Sequence, residues 1–458
     1  MSAAITDLLK SGQLARLIPT VADSKKEERA TSTLLASFMV VPAYAREVLA
    51  NAGAPAGKRL KVVCYTEITF NDDTTPDLRP DGLIIVSNGP TTWTALVEAK
   101  IGNKDLTPEQ IENYLDLAKK HGINALITIS NQFATTPTHH PVKVNKNKLK
   151  AVELYHFSWL SLKSKAVLLT ANKEVDDPEQ AYILSEIVRY MEHDSSGISS
   201  LTQMPGKWKD LCHAIQQKDT PTKSSDTVLD SVAGWHQLLR HMALKLGMSI
   251  SQPVKIALTR SREKDAELNF SEDCSQVTTD NTLTAHFEIP NTAAKLVLEA
   301  DFQRKTINFS MRLDAPKDRT RATASINWLT RQLKGQENNN LLIRAYWPKR
   351  SKQTSATLAE ATDNPKILVP EGTSTLPTAL EVTRVIDLAG RFKGSKTFVE
   401  ETTREFAGFY EDAGQHLSKW VAQAPKIKEK PPEEPSIPTI FTGANDLITD
   451  SASQETTE

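Results

Sequence analysis

Cysteine is nearly absent: the chain has three in 458 residues. Cys64, Cys212 and Cys274 stand too far apart for a disulfide framework or a thiolate zinc cluster, and each reads as a small buried hydrophobe. An excess of one charge is also lacking, since the formal net charge is −1. That excludes whole-chain attraction to a polyanion, so any nucleic-acid contact must come from a local patch. No run approaches the roughly eighteen apolar residues of a membrane span. The start, MSAAITDLLKSGQLARLIPTV, has neither the basic lead nor the apolar core of a secretory signal. A cytoplasmic location without a membrane partner is expected. No internal repeat and no helicase motif are found. GRFKGSKT, residues 390–397, comes near a phosphate-binding loop, but Ser395 stands where the glycine before Lys396 should be and no strand leads into it, so no ATP site is expected there.

What is present is an ordinary globular composition, 39% hydrophobic and 24% charged, on a chain long enough for two or three domains. Residues 1–204 alternate helix and strand patterns and predict an α/β domain. Ser24–Glu27 has the form of a capping box opening a helix through Leu34, Leu35, Phe38 and Met39. Strand patterns follow at KVVCYTEITF, DGLIIVS and WTALVEAKI, then a helix over Pro108–His121 that stops at Gly122, the strand NALITIS and the run ELYHFSWLSL. DPEQAYILSEIVRYMEHD closes this part as a helix. Residues 205–423 predict a separate α+β domain: a helix over Val228–Leu246, strand-like runs KIALT, AELNF, LTAHFEI, KLVLEADF and TINFSMRL, then helix from about Pro377 to Val421. Residues 424–458, from APKIKEKPPEEPSIP onward, are too poor in apolar groups to fold and are expected to be disordered.

One stretch breaks the rules of a buried strand. In RPDGLIIVSNGPTTWTALVEAKI, Asp81 opens one apolar run, and Glu98 and Lys100 sit inside the next. SNGPTT between them favours a hairpin. A turn centred between Gly89 and Pro90 sets Asp81 opposite Glu98, at the cross-strand spacing of about 4.5–5.5 Å between Cβ atoms where like charges repel. Such a pair calls for a cation. Glu98 and Lys100 share a face, while Ala99 points away and leaves its carbonyl near the ion. Two carboxylates and a carbonyl form a hard oxygen site suited to Mg²⁺ or Mn²⁺ rather than zinc, and the chemistry expected is metal-assisted phosphodiester hydrolysis. The bland alternative makes Asp81 a turn cap and puts Glu98 and Lys100 on a solvated edge. Pro76-Asp77 is a second Pro-Asp pair, but it lies in a polar stretch and leads no strand.

Pro80-Asp81, sixteen intervening residues and then Glu98-Ala99-Lys100 resemble the signature of the PD-(D/E)xK nuclease superfamily. Gln110-Ile111-Glu112-Asn113-Tyr114 on the following helix resembles the Q-x-x-x-Y motif of its RecB-type subgroup. The resemblance implies a restriction-endonuclease-like fold for the N-terminal domain, a central mixed sheet flanked by helices. It implies that Asp81 and Glu98 hold the metal with Ala99, that Lys100 assists the attacking water, and that Gln110 and Tyr114 support the site or the DNA strand. An acidic residue on the first helix often joins such sites; Glu28, seven residues before Leu35, is the expected one, with Glu27 closing its cap and Glu67 a lesser candidate. DNA is the expected substrate and RNA the alternative, in defence against foreign DNA or in repair, with a second copy or defence-complex subunits as partners. A nuclease-like fold that binds without cutting is the rival reading. Two local readings also stay open: Gln110 completes a capping box with Thr107, and Tyr114 belongs to an apolar stripe with Ile111, Leu115 and Ala118.

Elsewhere, HHPVKVNKNKLK at 139–150 is basic and lies in an expected loop, either solvated or touching phosphate, and His139 and His140 lack a catalytic partner at useful spacing. From Arg304 to Lys352 twelve Lys or Arg stand against three acids. Arg319, Arg321, Arg344, Lys349 and Arg350 are the expected nucleic-acid contacts there, with the rings of AYWPKRSK placed to stack on bases.

Overall fold

A computed structural model describes residues 5–22, 24–55, 57, 60–71, 78–102, 104, 106–132, 140–198, 201–219, 221–337, 340–349, 353–372 and 375–421. The chain divides into a compact unit, Met1–Trp420, and the segment Val421–Glu458. Residues 424–458, expected to be disordered, lie outside the described residues, as do Pro76-Asp77, His139 and Arg350. Among the described residues no single helix is long and apolar enough to cross a membrane.

The chain begins with β1 (Leu9–Leu14), α1 (Lys26–Val40), α2 (Pro42–Leu49), β2 (Lys61–Phe70), β3 (Gly82–Asn88), β4 (Thr91–Ala99), α3 (Pro108–Lys120), β5 (Ala125–Ser130), β6 (Glu153–Ser158), α4 (Trp159–Ala171) and α5 (Pro178–Glu192). The strands form one six-stranded sheet in chain order. β1 to β4 are antiparallel, and β5 and β6 join parallel to β4. The parallel step at β4 follows from α3, since a crossover returns the chain to the starting edge. Side-chain alternation then sorts the two faces. Cys64, Ile84, Val97, Ala99, Ile127 and Phe157 pack with α1, α2, α4 and α5, whereas Leu83, Ile85, Leu96, Leu126 and Leu154 pack under α3.

After residue 204 the chain continues with α6 (Lys207–Gln216), α7 (Asp226–Ile250), β7 (Lys255–Ile256), α8 (Arg260–Lys264), α9 (Ala266–Thr279), β8 (Thr282–Glu288), β9 (Leu296–Asp301), β10 (Thr306–Asp314), α10 (Ala322–Thr330), β11 (Leu341–Tyr346), β12 (Thr354–Thr357), α11 (Leu358–Asp363), β13 (Ala379–Asp387) and α12 (Ser395–Asp412). Seven strands build a wholly antiparallel sheet in the order β12-β11-β13-β10-β9-β8-β7. Its apolar cluster starts at Met204, beyond the last member of the first sheet's clusters, Met191. Trp208 anchors it: the ring is fully buried beside Phe302, Phe392 and Phe398, and its Nε1 donates to the Phe392 carbonyl at 3.0 Å.

Two local expectations fail here. AELNF is the first turn of α9, not a strand, because the Asp265 carboxylate caps it by accepting from Leu268 N at 3.0 Å, and Asn269, Asp273 and Val277 bury at helical spacing. The stretch after Pro377 opens with strand β13, not helix, so a strand does lead toward GRFKGSKT, which still lacks the glycine before Lys396. ALEVTRVID is rich in β-branched residues, and both its neighbours, β10 and β11, offer a full ladder of backbone partners.

Gly82 is the point where the hairpin meets α1. A Cβ there would stand 2.5 Å from Leu35 Cδ1 and 3.1 Å from the Tyr65 carbonyl oxygen, and Leu35 is fully buried. Gly82→Ala should therefore cost about 1–3 kcal/mol in overpacking, read as a lower urea midpoint with unchanged slope; an unaltered midpoint would contradict this packing.

Candidate functional site

The β3–β4 register pairs Gly82 with Val97 and Leu83 with Leu96, which sets Asp81 opposite Glu98 just past the ladder. Both side chains face α3. Their carboxyls lie within hydrogen-bonding reach of each other, and Asp81 Oδ2 accepts from the Ala99 N–H at 2.7 Å. Ala99 itself points to the opposite face and is fully buried. Burial and the repulsion of Glu98 push the Asp81 carboxyl well above the usual aspartate range, against the Ala99 hydrogen bond and Lys100. Glu98, only 2% exposed, is raised as well, chiefly by burial, with Lys100 opposing.

Lys100 lies just past β4, and its backbone is clamped on both sides. Its N–H donates to the Ile129 carbonyl at 2.7 Å, and its carbonyl accepts from Trp159 Nε1 at 2.9 Å. From there the ammonium pairs with Glu98 and lies 3.7 Å from Glu27. Burial alone would lower the lysine, but Glu98, Asp81 and Glu27 together hold it above its ordinary value.

α3 resolves both local alternatives. Thr107 caps the helix by accepting from Gln110 N at 3.3 Å, but the Gln110 side chain does not turn back to the cap: its Nε2 donates to Glu98 Oε1 at 2.7 Å. Tyr114 serves in two ways. Its ring is buried under the sheet, and its hydroxyl donates to the Arg79 carbonyl at 3.2 Å, two residues before Asp81.

The acid on the first helix is Glu27 rather than Glu28. Glu28, as sheltered as Glu27, pairs instead with Lys25 at 2.7 Å. Glu27 approaches Lys100, lies 3.6 Å from Lys104, and accepts from the Ile101 N–H at 3.2 Å. The Ser24–Glu27 capping box does not form, since α1 starts after Lys25 without a side-chain cap. Helical spacing gives no signal between the two, since Thr31 and Leu34 above Glu27 and Ser32 and Leu35 above Glu28 are all buried. Glu67 sits at a left-handed kink, φ 51°, its N–H donating to the Asp81 carbonyl at 3.0 Å and its carboxylate pairing with Arg79 at 2.8 Å. The β1–β2 register shifts at this point, a bulge of the kind that re-aims side chains beside functional sites.

The sheet register continues the polar row, from Glu98 to Thr128 to His156. Thr128 Oγ1 meets His140 Nε2 at 2.7 Å and His156 Nδ1 at 2.9 Å, so His140 has a partner that sequence spacing does not reveal. Burial lowers His140 to about 4 and His156 to about 3, so neither adds positive charge at neutral pH. In the neighbouring basic loop, Lys148 pairs with Asp116 and Lys146 with Glu267 at 3.4 Å.

The second basic region is partly spent. β10 and β11 both run antiparallel to β13, so the segments after them, carrying Arg319, Arg321 and Lys349, leave from the same end of the sheet. Arg319 pairs with its neighbour Asp318 at 3.5 Å, and Arg344 faces Glu381 across the ladder and pairs with it at 3.5 Å. The rings are not free to stack either. Trp347 is buried and donates to Thr354 Oγ1 at 2.9 Å, and the Arg312 guanidinium lies 3.9 Å from the Tyr346 ring centre.

Among the described residues no three His, Cys, Asp or Glu are gathered as a metal cage. The donor set at the hairpin nonetheless fits a hard divalent ion. Asp81, Glu98 and Glu27, when ionised, face the ammoniums of Lys100 and Lys104, leaving one negative charge unbalanced, and the repulsion within the acid pair is what a cation relieves. The chain matches no family model, no curated protein and no solved structure.

A raised folded-state acid stabilises fully below its unfolded value, and that contribution is lost as pH rises through the folded value. At pH 8 in chelator the ionised pair therefore works against the fold. Asp81→Asn should melt about 1–3 °C higher than wild type there, the gap closing toward pH 4, and Mg²⁺ should raise the wild-type midpoint but not the variant's. Equal melting of the two proteins at pH 8 would discredit the strained pair.

Proposed function

We propose that the chain is a metal-dependent nuclease of the PD-(D/E)xK type, hydrolysing DNA phosphodiester bonds at the β3–β4 hairpin. The observation that carries this reading is the convergence of Asp81, Glu98, Lys100 and Gln110, the last two both held on Glu98. A mixed sheet flanked by helices, with the acids at one end of its central hairpin, agrees with the restriction-endonuclease-like fold.

In this reading Asp81 and Glu98, with the Ala99 carbonyl, hold Mg²⁺ or Mn²⁺. When bound, such an ion polarises a phosphate oxygen and lowers the pKa of a coordinated water. The chain's own groups do the rest. Lys100 stands where an ammonium can orient the attacking water and stabilise charge developing on the phosphate. Gln110 fixes one Glu98 oxygen, leaving the other to face the ion. Tyr114 and the Arg79–Glu67 pair hold the strand entry that aims Asp81. Glu98, with Asp81 and Glu27 adding to it, keeps Lys100 charged, and Glu27 borders the ammonium at 3.7 Å. Nothing in this set reads a base, so the cleavage step itself carries no sequence preference. The basic end of the second sheet, Arg319, Arg321 and Lys349, supplies phosphate contacts for holding the substrate.

The test is an Mg²⁺-dependent assay on linear, circular and single-stranded DNA, with transfer RNA as a separate substrate. Asp81→Ala and Lys100→Ala should each lower the rate by about 10²–10³-fold or more. Glu27→Gln should cost clearly more than Glu28→Gln. Wild-type and Asp81→Ala proteins that degrade DNA equally would end the proposal, and cleavage of transfer RNA alone would transfer it to RNA. In binding assays, an Arg319→Ala, Arg321→Ala, Lys349→Ala variant should weaken DNA affinity and flatten its salt dependence by about 0.9 for each phosphate no longer neutralised. An unchanged salt slope would exclude that surface from substrate binding.

A further inference from the structure

A second site lies away from the hairpin, in a cavity of about 820 Å³ between α2 and α4 on one side and α7 and β7 on the other. Its size falls within the range of about 300–1,000 Å³ typical of small-ligand pockets. Leu168, Leu169, Ala243, Leu244, Val254 and Ile256 give it an apolar wall. Into that wall α7 puts Arg240. Among the described residues no hydrogen bond or ion pair reaches its guanidinium, and burial, with no carboxylate nearby to offset it, holds the group below the ordinary arginine value.

The acids that line the same cavity are otherwise engaged or remote. Glu47 pairs with Lys165 at 2.5 Å, Glu288 faces Lys255 across the β7–β8 ladder, and Glu174 accepts from Asn172 at 3.4 Å. Glu263 lies on the short α8 and forms no ion pair with Arg240. A half-buried guanidinium with five N–H donors and no protein acceptor leaves those donors to cavity water or to an incoming anion. Its planar fork suits the two oxygens of a carboxylate or phosphate, and the surrounding leucines, valine and isoleucine suit an apolar body.

We propose that this cavity binds a small organic anion, with Arg240 taking the carboxylate or phosphate and the apolar wall taking the rest of the molecule. The site is independent of the nuclease reading, since it shares no residue with the hairpin.

The test uses the full chain carrying Asp81→Asn, in chelator, so that the carboxylate cluster contributes no anion or metal site. Benzoate, phenyl phosphate and the uncharged benzamide are titrated by calorimetry and by thermal melting. Benzoate or phenyl phosphate should bind one per chain with Kd on the order of 0.1–1 mM, as expected for ligands of this size. Which of the two binds more tightly decides between carboxylate and phosphate. Benzamide should bind at least tenfold more weakly. Adding Arg240→Met should abolish anion binding while melting at or above the parent temperature without ligand, because it removes an unpaired, half-buried cation from an apolar wall. Lys295 lines the solvent-exposed edge of the same cavity, and Lys295→Gln should weaken binding by no more than about twofold. Binding of benzamide as tight as benzoate, anion binding that survives Arg240→Met, or no binding of either anion would each overturn the proposal. An Arg240→Met protein that melts well below its parent would do the same, since the guanidinium would then have a structural partner.

Discussion

Two carboxylates that repel each other across a β-hairpin are the constraint around which the first half of the molecule is arranged. Asp81 and Glu98 meet because the β3–β4 register puts them opposite each other at the open end of the ladder, beneath α3. Left alone, such a pair would drive one carboxyl to protonate or push the strands apart. The chain instead holds it with directed donors: the Ala99 N–H on Asp81, and the Gln110 amide and Lys100 ammonium on Glu98. These reduce the repulsion without cancelling it, and the remaining negative charge is what makes the place suitable for a hard cation.

The surrounding structure fixes those donors. Lys100 is tied by its backbone to β5 and to the Trp159 indole, and its ammonium is held by Glu98 and bordered by Glu27. α3 is started by Pro108 and capped by Thr107, which frees the Gln110 side chain for Glu98. On the other flank, the bulge at Glu67 and the Arg79–Glu67 pair shape the approach to Asp81. A site of this kind tolerates little displacement, because each group is useful only at hydrogen-bonding distance from the next. Its mounting at the ends of two paired strands and on two helices meets that need.

The second sheet follows another logic. Charge there is distributed, and much of it is already paired: Arg344 with Glu381, Arg384 with Asp412, Arg391 with Glu401. Arg321 and Lys349 follow strands that end at the same edge of the sheet, because β10 and β11 point the same way. Arg240 differs from all of these in being sheltered and unpaired, and it faces a cavity instead of open solvent.

Much of this was legible in the sequence for a definite reason. The β3–β4 hairpin joins residues close along the chain, so a turn signal and period-two alternation were enough to place Asp81 opposite Glu98, and a proline and a threonine were enough to start α3. Local patterns also marked β2, β5, α5 and α7. They misled where local and tertiary preferences compete: AELNF has strand-like residues but is captured by the Asp265 cap, and ALEVTRVID has helix-compatible ones but fills the gap between β10 and β11. Glu27 and Glu28 cannot be told apart by spacing, since each stands seven residues before a buried leucine, and only the approach of α1 to the end of β4 selects Glu27. The neutral His140–Thr128–His156 contacts, the pairing of Arg344 and the isolation of Arg240 likewise join residues far apart in the chain. Sequence alone determined the elements whose partners lie within a turn or a hairpin; the tertiary structure decided which charges are paired, sheltered or free, because that depends on distances across the fold that no local pattern encodes.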